Sequence, residues 1–300
     1  MSWFRKLRRS PEASQVSDQI MARVRAEYTV MPRFGFHQPL DYATLTPPPE
    51  FEAPSVDPAT SLLVPSGADR FGYATGDTTR YLEWGRTDHK ELRAVFDRYS
   101  GFSPGDGSSR GVRILDFGCS SGRVLRHFYE EHRELNWALY GCDVQAKAVE
   151  WMRRYLPLPF KVVCTSTLPH LPFPDQFFDF IYGFSVFTHI KYHWDAWLLE
   201  LKRVLKPRGI MMQTIHAENA WRFYAEHKNE DWVRAGVSAR VYDVPEMDVE
   251  YLLCGDVGVS QVFWRKEVVR EYWGRYLEIL EVRDPPQFSF QDWVVCRNLD

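Results

Sequence analysis

RILDFGCSSGRVL, residues 113–125, is the stretch on which the fold turns. A short apolar run that stops at an aspartate and a glycine has the pattern of a buried strand entering a turn. Small residues between Gly118 and Gly122 leave the main chain open to close approach by a ligand. Beyond them Val124, Leu125 and Phe128 fall on one side of a helix predicted over 122–132. A strand, an open loop and a helix therefore follow one another within twenty residues.

The alternation continues outward from there. WALYGCD (137–143) predicts a second strand, and 145–155 a helix with Val149 and Met152 inward. FKVVC (160–164) and FFDFIYGFS (177–185) predict the third and fourth strands. Trp194, Trp197, Leu198, Leu201, Val204 and Leu205 recur at helical spacing over 193–205. KPRG then reads as a turn into a fifth strand, IMMQTI (210–215). A helix at 265–274 and strands at 277–282 and 290–297 close the chain. Strands alternating with helices predict an α/β fold, a seven-stranded, mostly parallel sheet with helices on both faces. Residues 216–258 break the rhythm and read as an insertion after the fifth strand.

Ahead of this unit, 11–35 is mixed and mostly helical in pattern. The run from Gln38 to Pro65 is too rich in proline for a helix or a central strand, so it reads as an extended arm. Residues 77–99 predict a helix, and GFSPGDGSSRG (101–111) a flexible linker. The expected organisation is a helical and proline-rich N-terminal arm over 1–100, a linker over 101–111, and the main domain over 112–300 with its insertion at 216–258.

A chain of 300 residues that is 45% hydrophobic can bury a large core. A net charge of −3 argues against a general nucleic-acid surface, which calls for a basic domain. The five cysteines are odd in number and show no CxxC pair. They read as reduced thiols of a cytoplasmic protein, with no metal centre expected. No run of about 18 apolar residues predicts a membrane span. MSWFRKLRRS (1–10) is basic and partly apolar, which suits either a frayed tail or a peripheral contact with an anionic membrane.

In an open parallel sheet, ligands bind at the carboxyl ends of the strands near the reversal of strand order. Asp116, Gly118, Cys119, Ser120 and Gly122 fall at the first strand end, and Asp143 at the second. A carboxylate there can accept both hydroxyls of a ribose. A dinucleotide loop would read G-x-G-x-x-G. Here Ser120 stands where the middle glycine would be, and a nucleoside with a non-phosphate tail fits better than a pyrophosphate.

LDFGCSSGR, YGCD, LPFPDQFFDFIYGFSVFTHI and ELKRVLKPRGIMMQTIH, in that order, resemble the class I S-adenosylmethionine-dependent methyltransferases. The likeness covers 112–216 and extends more weakly to 265–297. It implies a Rossmann-like fold with S-adenosyl-L-methionine as cofactor. The Asp116–Gly122 loop would hold the methionine half. Asp143 would take the ribose, Val144 would pack on the adenine, and Thr165 with Ser166 would stand where a carboxylate or amide commonly meets the base. Arg86, in the WGR segment, resembles residues that meet the cofactor carboxylate.

Methyl transfer from a sulfonium has a neutral leaving group, so alignment supplies much of the rate. An alcohol acceptor would also profit from a general base. His189 and His216 stand after the fourth and fifth strands, and histidine titrates near neutrality. Tyr192, His193, Trp221 and Tyr224 either face the acceptor or serve packing. The expected function is O-methylation of a small molecule or of a sugar or glycan. Two other readings stay open, a nicotinamide-dependent oxidoreductase and a non-catalytic nucleoside-binding module of the same fold.

Overall fold

The computed structural model describes residues 49–70, 73, 74, 76–102, 108–190, 193–231, 233, 251–254, 261–286 and 289–299. The basic segment 1–10, the helical pattern at 11–35, residues 38–48 of the proline-rich run, Tyr192 and much of the 216–258 insertion lie outside the described residues.

Seven strands form one sheet. They are β1 (Arg113–Phe117), β2 (Ala138–Asp143), β3 (Phe160–Cys164), β4 (Phe178–Gly183), β5 (Leu205–Ile215), β8 (Glu278–Arg283) and β9 (Asp292–Arg297). Their order across the sheet is β8-β9-β5-β4-β1-β2-β3. β9 pairs antiparallel with both neighbours, while the five strands from β5 to β3 run parallel. This is the seven-stranded, mostly parallel sheet expected. Between them in the chain, β6 (Tyr251–Cys254) and β7 (Gln261–Trp264) make a separate two-stranded ladder. A parallel bridge between His216 and Phe263 fastens β7 beside the end of β5.

Both faces of the sheet are covered, which is why its strands read as near-continuous apolar runs. Successive residues alternate between two cores. Ile114, Leu139, Phe180 and Met212 pack with Leu92, Val95 and Phe96 of α1 (Thr78–Tyr99) and with Val149 and Met152 of α3 (Ala146–Tyr155). Leu115, Ile181, Met211 and Val294 pack with Trp197, Leu198 and Leu201 of α4 (Trp194–Val204) and Val269 and Trp273 of α6 (Lys266–Trp273). Helix α1 starts where Asp77 accepts the Arg80 N–H at 3.0 Å and stops before Gly101, whose φ is +78°. It shares its core with the sheet although it precedes the linker stretch.

Two local expectations differ from the structure. The helix predicted over 122–132 is a 3₁₀ turn, Leu125–Phe128, followed by α2 (Tyr129–Leu135). The Gly122 carbonyl is shared between the Arg126 N–H at 3.3 Å and the buried Arg126 Nε at 3.1 Å, which loosens the first turn. KPRG is not a turn ahead of the fifth strand but an irregular part of it. The ladder with β4 shifts register between Phe178 and Phe180, and Arg208 is left-handed at φ 62°. The chain enters the insertion through α5 (Glu218–Glu226), whose Ala220, Trp221 and Tyr224 pack with Phe263 of β7.

Candidate functional site

Strand order reverses at β1, which lies between β4 and β2, so the crevice at its carboxyl end is where a ligand belongs. The loop leaving β1 is tied to β2. The Gly118 and Cys119 N–H groups both donate to the Cys142 carbonyl, at 2.8 and 3.0 Å. Gly118 has a φ of +83°, and a Cβ there would stand 2.3 Å from Val186 Cγ2, so only glycine fits. Ser120 is also left-handed, at φ 47°, and its N–H donates to Asp143 Oδ2 at 2.7 Å. Asp143 Oδ1 accepts the Gln145 N–H at 2.8 Å. Burial raises the Asp143 carboxyl above the usual range, and these N–H bonds act in the opposite direction.

A cleft opens over this loop, lined on the sheet side by Asp116, Gly118, Cys119 and Ser120. Asp116 is buried and accepts the Tyr182 hydroxyl at 3.1 Å. Burial pushes its carboxyl up to about 7; the Tyr182 bond and the Arg123 charge pull it down, and the Asp143 charge adds to the rise. The opposite wall holds Arg70, Tyr73, Tyr81, Arg123, Val124 and Phe184. Arg70 donates from Nε to the Pro65 carbonyl, from Nη1 to the Ala74 carbonyl and from Nη2 to Thr78 Oγ1. A guanidinium carries five N–H groups, so two remain outside these three bonds on a residue that lines the cleft. Arg123 pairs with Asp88 and lies 4.5 Å from the Tyr73 ring centroid.

The residues predicted from the sequence divide accordingly. Asp116, Gly118, Cys119 and Ser120 meet at the cleft; Gly122 closes the turn, where its N–H donates to the Cys119 carbonyl. Asp143 stands under Ser120. Val144 follows it, 47% exposed, an apolar surface at the end of β2. Thr165 is buried beside it, with its N–H on the Asp143 carbonyl at 2.8 Å. Ser166 Oγ accepts the Leu168 N–H at 3.1 Å, so its hydroxyl caps its own turn.

Arg86 sits within α1 and is not among the residues that line this cleft. Tyr81 and Gly85, four apart, share the helix face packed on the loop, and the next residue is turned about 100° away. Its charge acts instead on His127. Arg70 occupies the cleft wall, and no motif around it announced this.

The two histidines do not line the cleft either. His189 is exposed on the turn after β4. His216 is 1% exposed. Burial, then the His189 charge, hold its ring well below the normal histidine range. Burial thus disfavours the charged form of this ring. Next to it, Gln291 contacts His216 Nε2, Ser185 and Thr214. Sequence reading did not find Gln291, which is 106 residues from Ser185 in the chain.

The site thus consists of an α/β sheet with a glycine loop between two strand-end acids. Residues 115–212 match the family model described as a methyltransferase domain. A fatty-acid O-methyltransferase of Mycolicibacterium smegmatis is 27% identical over 104 residues, 35% of this chain and 37% of that enzyme. The chain thus matches little more than a third of its curated relative's length. A methyltransferase from Mesorhizobium loti is 14% identical over 69% of this chain and 96% of its own, with a TM-score of 0.46. One from Methanosarcina mazei is 15% identical over 63% and 93%, at 0.45. Over residues 115–212 the chain is thus similar to a methyltransferase domain. Among the described residues no group of histidine, cysteine and carboxylate side chains could hold a metal ion, and no helix is long and apolar enough to cross a membrane.

Proposed function

We propose that this protein is an S-adenosylmethionine-dependent O-methyltransferase acting on a small molecule. The observation that carries the proposal is the pair of buried acids, Asp116 and Asp143, on either side of the left-handed Gly118–Ser120 loop. The cleft fits the cofactor by its donor set. Asp116 suits the methionine ammonium, and the unused N–H groups of Arg70 suit its carboxylate. Asp143 offers acceptors to a ribose diol, and exposed Val144 offers an apolar bed to a planar base. Ser120 Oγ, buried and without a hydrogen-bond partner among the described residues, adds a polar atom beside Asp143.

Bound there, S-adenosylmethionine supplies an electrophilic methyl group on a sulfonium. The chain's own task is then to bind, to orient the acceptor and to exclude water. The O-methyl-transferring relative, with its limited overlap, supports oxygen as the acceptor atom.

Titration calorimetry with S-adenosylmethionine tests the proposal. The wild-type chain binds it and does not bind NADH. Asp143→Ala weakens binding by about 10²-fold, the equivalent of losing one or two charge-assisted hydrogen bonds. Asp143→Asn, scored beside a thermal melt, separates loss of the ligand contact from collapse of the loop. No binding by the wild type, or an unchanged affinity in Asp143→Ala, overturns the assignment.

A further inference from the structure

Arg123 directly follows the glycine loop, and it is one of two arginines that line the cleft. The two use their donors differently. Arg70 gives Nε, Nη1 and Nη2 one bond each to its own segment, at Pro65, Ala74 and Thr78. Arg123 is 7% exposed, and among the described residues its one hydrogen bond runs from Nη1 to Asp88 Oδ2 at 2.5 Å. Four of the five N–H groups of a guanidinium are therefore left over. They include both donors of the Nε–Nη2 edge. Nearby Arg126 shows the contrast. Its Nη2 is sealed in without a partner, and none of the Arg123 nitrogens is.

The Arg123 charge is balanced by Asp88, but its remaining donors are not answered. A largely buried donor without an acceptor costs stability, and an anionic group in the cleft removes that cost. Two N–H groups on one edge match the two oxygens of a carboxylate, the pairing in which arginine is strongest. Asp88, on α1, holds Nη1. The Tyr73 and Phe184 ring centroids lie 4.5 and 5.5 Å from Cζ and limit its rotation. Asp116 lines the same cleft, and the Arg123 charge pulls its carboxyl down. Yet the ion pair of Arg123 among the described residues is with Asp88 and not with Asp116. The acid and the cation act on each other without touching. An α-amino acid carries its ammonium and carboxylate on one carbon, so it calls for an acid and a cation that are neighbours and are not already joined.

We infer that Arg123 binds the α-carboxylate of S-adenosylmethionine through its Nε–H and Nη2–H edge, with Arg70 as the lesser partner of that carboxylate. The inference rests on the proposed function and adds to it the residue that selects for an intact amino-acid end. Arg70 keeps no complete edge free, because both Nε and Nη2 are already bonded. A ligand without the carboxylate leaves the Arg123 donors as they stand in the empty cleft and gains nothing from them.

Titration calorimetry on the full chain compares S-adenosylmethionine with its decarboxylated analogue, which keeps the sulfonium and the ammonium. The wild type prefers S-adenosylmethionine by about 30-fold. Arg123→Met cuts this preference about tenfold by weakening S-adenosylmethionine, and the analogue stays within about threefold of its wild-type affinity. Arg123→Lys, which keeps the charge and loses the planar edge, lowers the preference about threefold. Where a thermal melt shows Arg123→Met unfolded, Arg123→Met with Asp88→Asn, which removes the stranded acid, is scored in its place, and Arg123→Lys decides if neither folds. Equal losses for both ligands mark Arg123 as purely structural and overturn the inference, as does an unchanged preference in these variants. A wild type that binds both ligands equally overturns it too, and leaves the proposed function standing. A wild type that binds neither ligand overturns the proposed function and the inference with it.

Discussion

Asp116 is an acid held near half-protonation inside the cleft, with a carboxyl at about 7 against an ordinary 3.8. A cationic ammonium prefers its ionised form. Below pH 7 the proposed methyl donor must therefore displace a proton to bind. Calorimetry should show S-adenosylmethionine affinity falling up to tenfold per pH unit from about 7 toward 5 and level above 7. Asp116→Asn removes the slope. The sign for stability is the reverse. A raised carboxyl favours the unliganded fold below pH 4, and this contribution is lost as pH rises through about 7. The two arginines give a second contrast at the same scale. Arg86→Ala leaves cofactor affinity within twofold. Arg70→Lys weakens it at least tenfold, since lysine cannot rebuild the three-way fork to Pro65, Ala74 and Thr78. Calorimetry on both variants decides between them.

At the scale of elements, a small ionic knot joins α5, α6 and the start of β9. Lys266 Nζ, at the start of α6, meets Asp292 Oδ1 at 2.7 Å and also pairs with Asp284. Asn219 of α5 donates to Asp292 Oδ1 at 2.7 Å and to Asp284 Oδ1 at 2.8 Å. Asp292 is fully buried at the start of β9 and follows Gln291 directly. Burial raises its carboxyl, which the Lys266 and Asn219 contacts oppose. Lys266→Met leaves that acid without its charge partner and costs about 3–5 kcal/mol in urea unfolding. Lys266→Met with Asp292→Asn recovers part of the loss. The β1 loop and the strand ends were legible at this scale because their signals are local: an apolar run, two glycines, an acid. Helix 122–132 and KPRG were misread where tertiary contacts override local pattern. A buried Arg126 takes the Gly122 carbonyl, and β4 pairs with Leu205 and Ile210 on either side of 206–209, which carries them within the strand.

Over the whole molecule, Cys119, Cys142, Cys164 and Cys296 are all buried and reduced. Burial raises each thiol, that of Cys164 to about 11. Cys119 lines the cleft, so the other three are those a thiol reagent should reach only through opening of the sheet. Their labelling rate, separated from Cys119 and Cys254 by peptide mapping, then reports the unfolding equilibrium. A ligand at 100 times its Kd should slow it about 100-fold. Labelling that S-adenosylmethionine does not slow argues that the fold is not coupled to that ligand.

From its residues in order, the chain determined the alternation of strands and helices, the opened loop at 118–122 and the acid at 143, because each depends on near neighbours and on the periodicity of burial. The three-dimensional packing alone decided that Arg70, not Arg86, meets the cleft, and that Gln291 reaches His216. Those contacts join segments far apart in the chain, where no local spacing records which side chains will meet. They also set the protonation of Asp116 and His216, since a titrating group responds to the water and charge around it after folding and not to its neighbours in sequence.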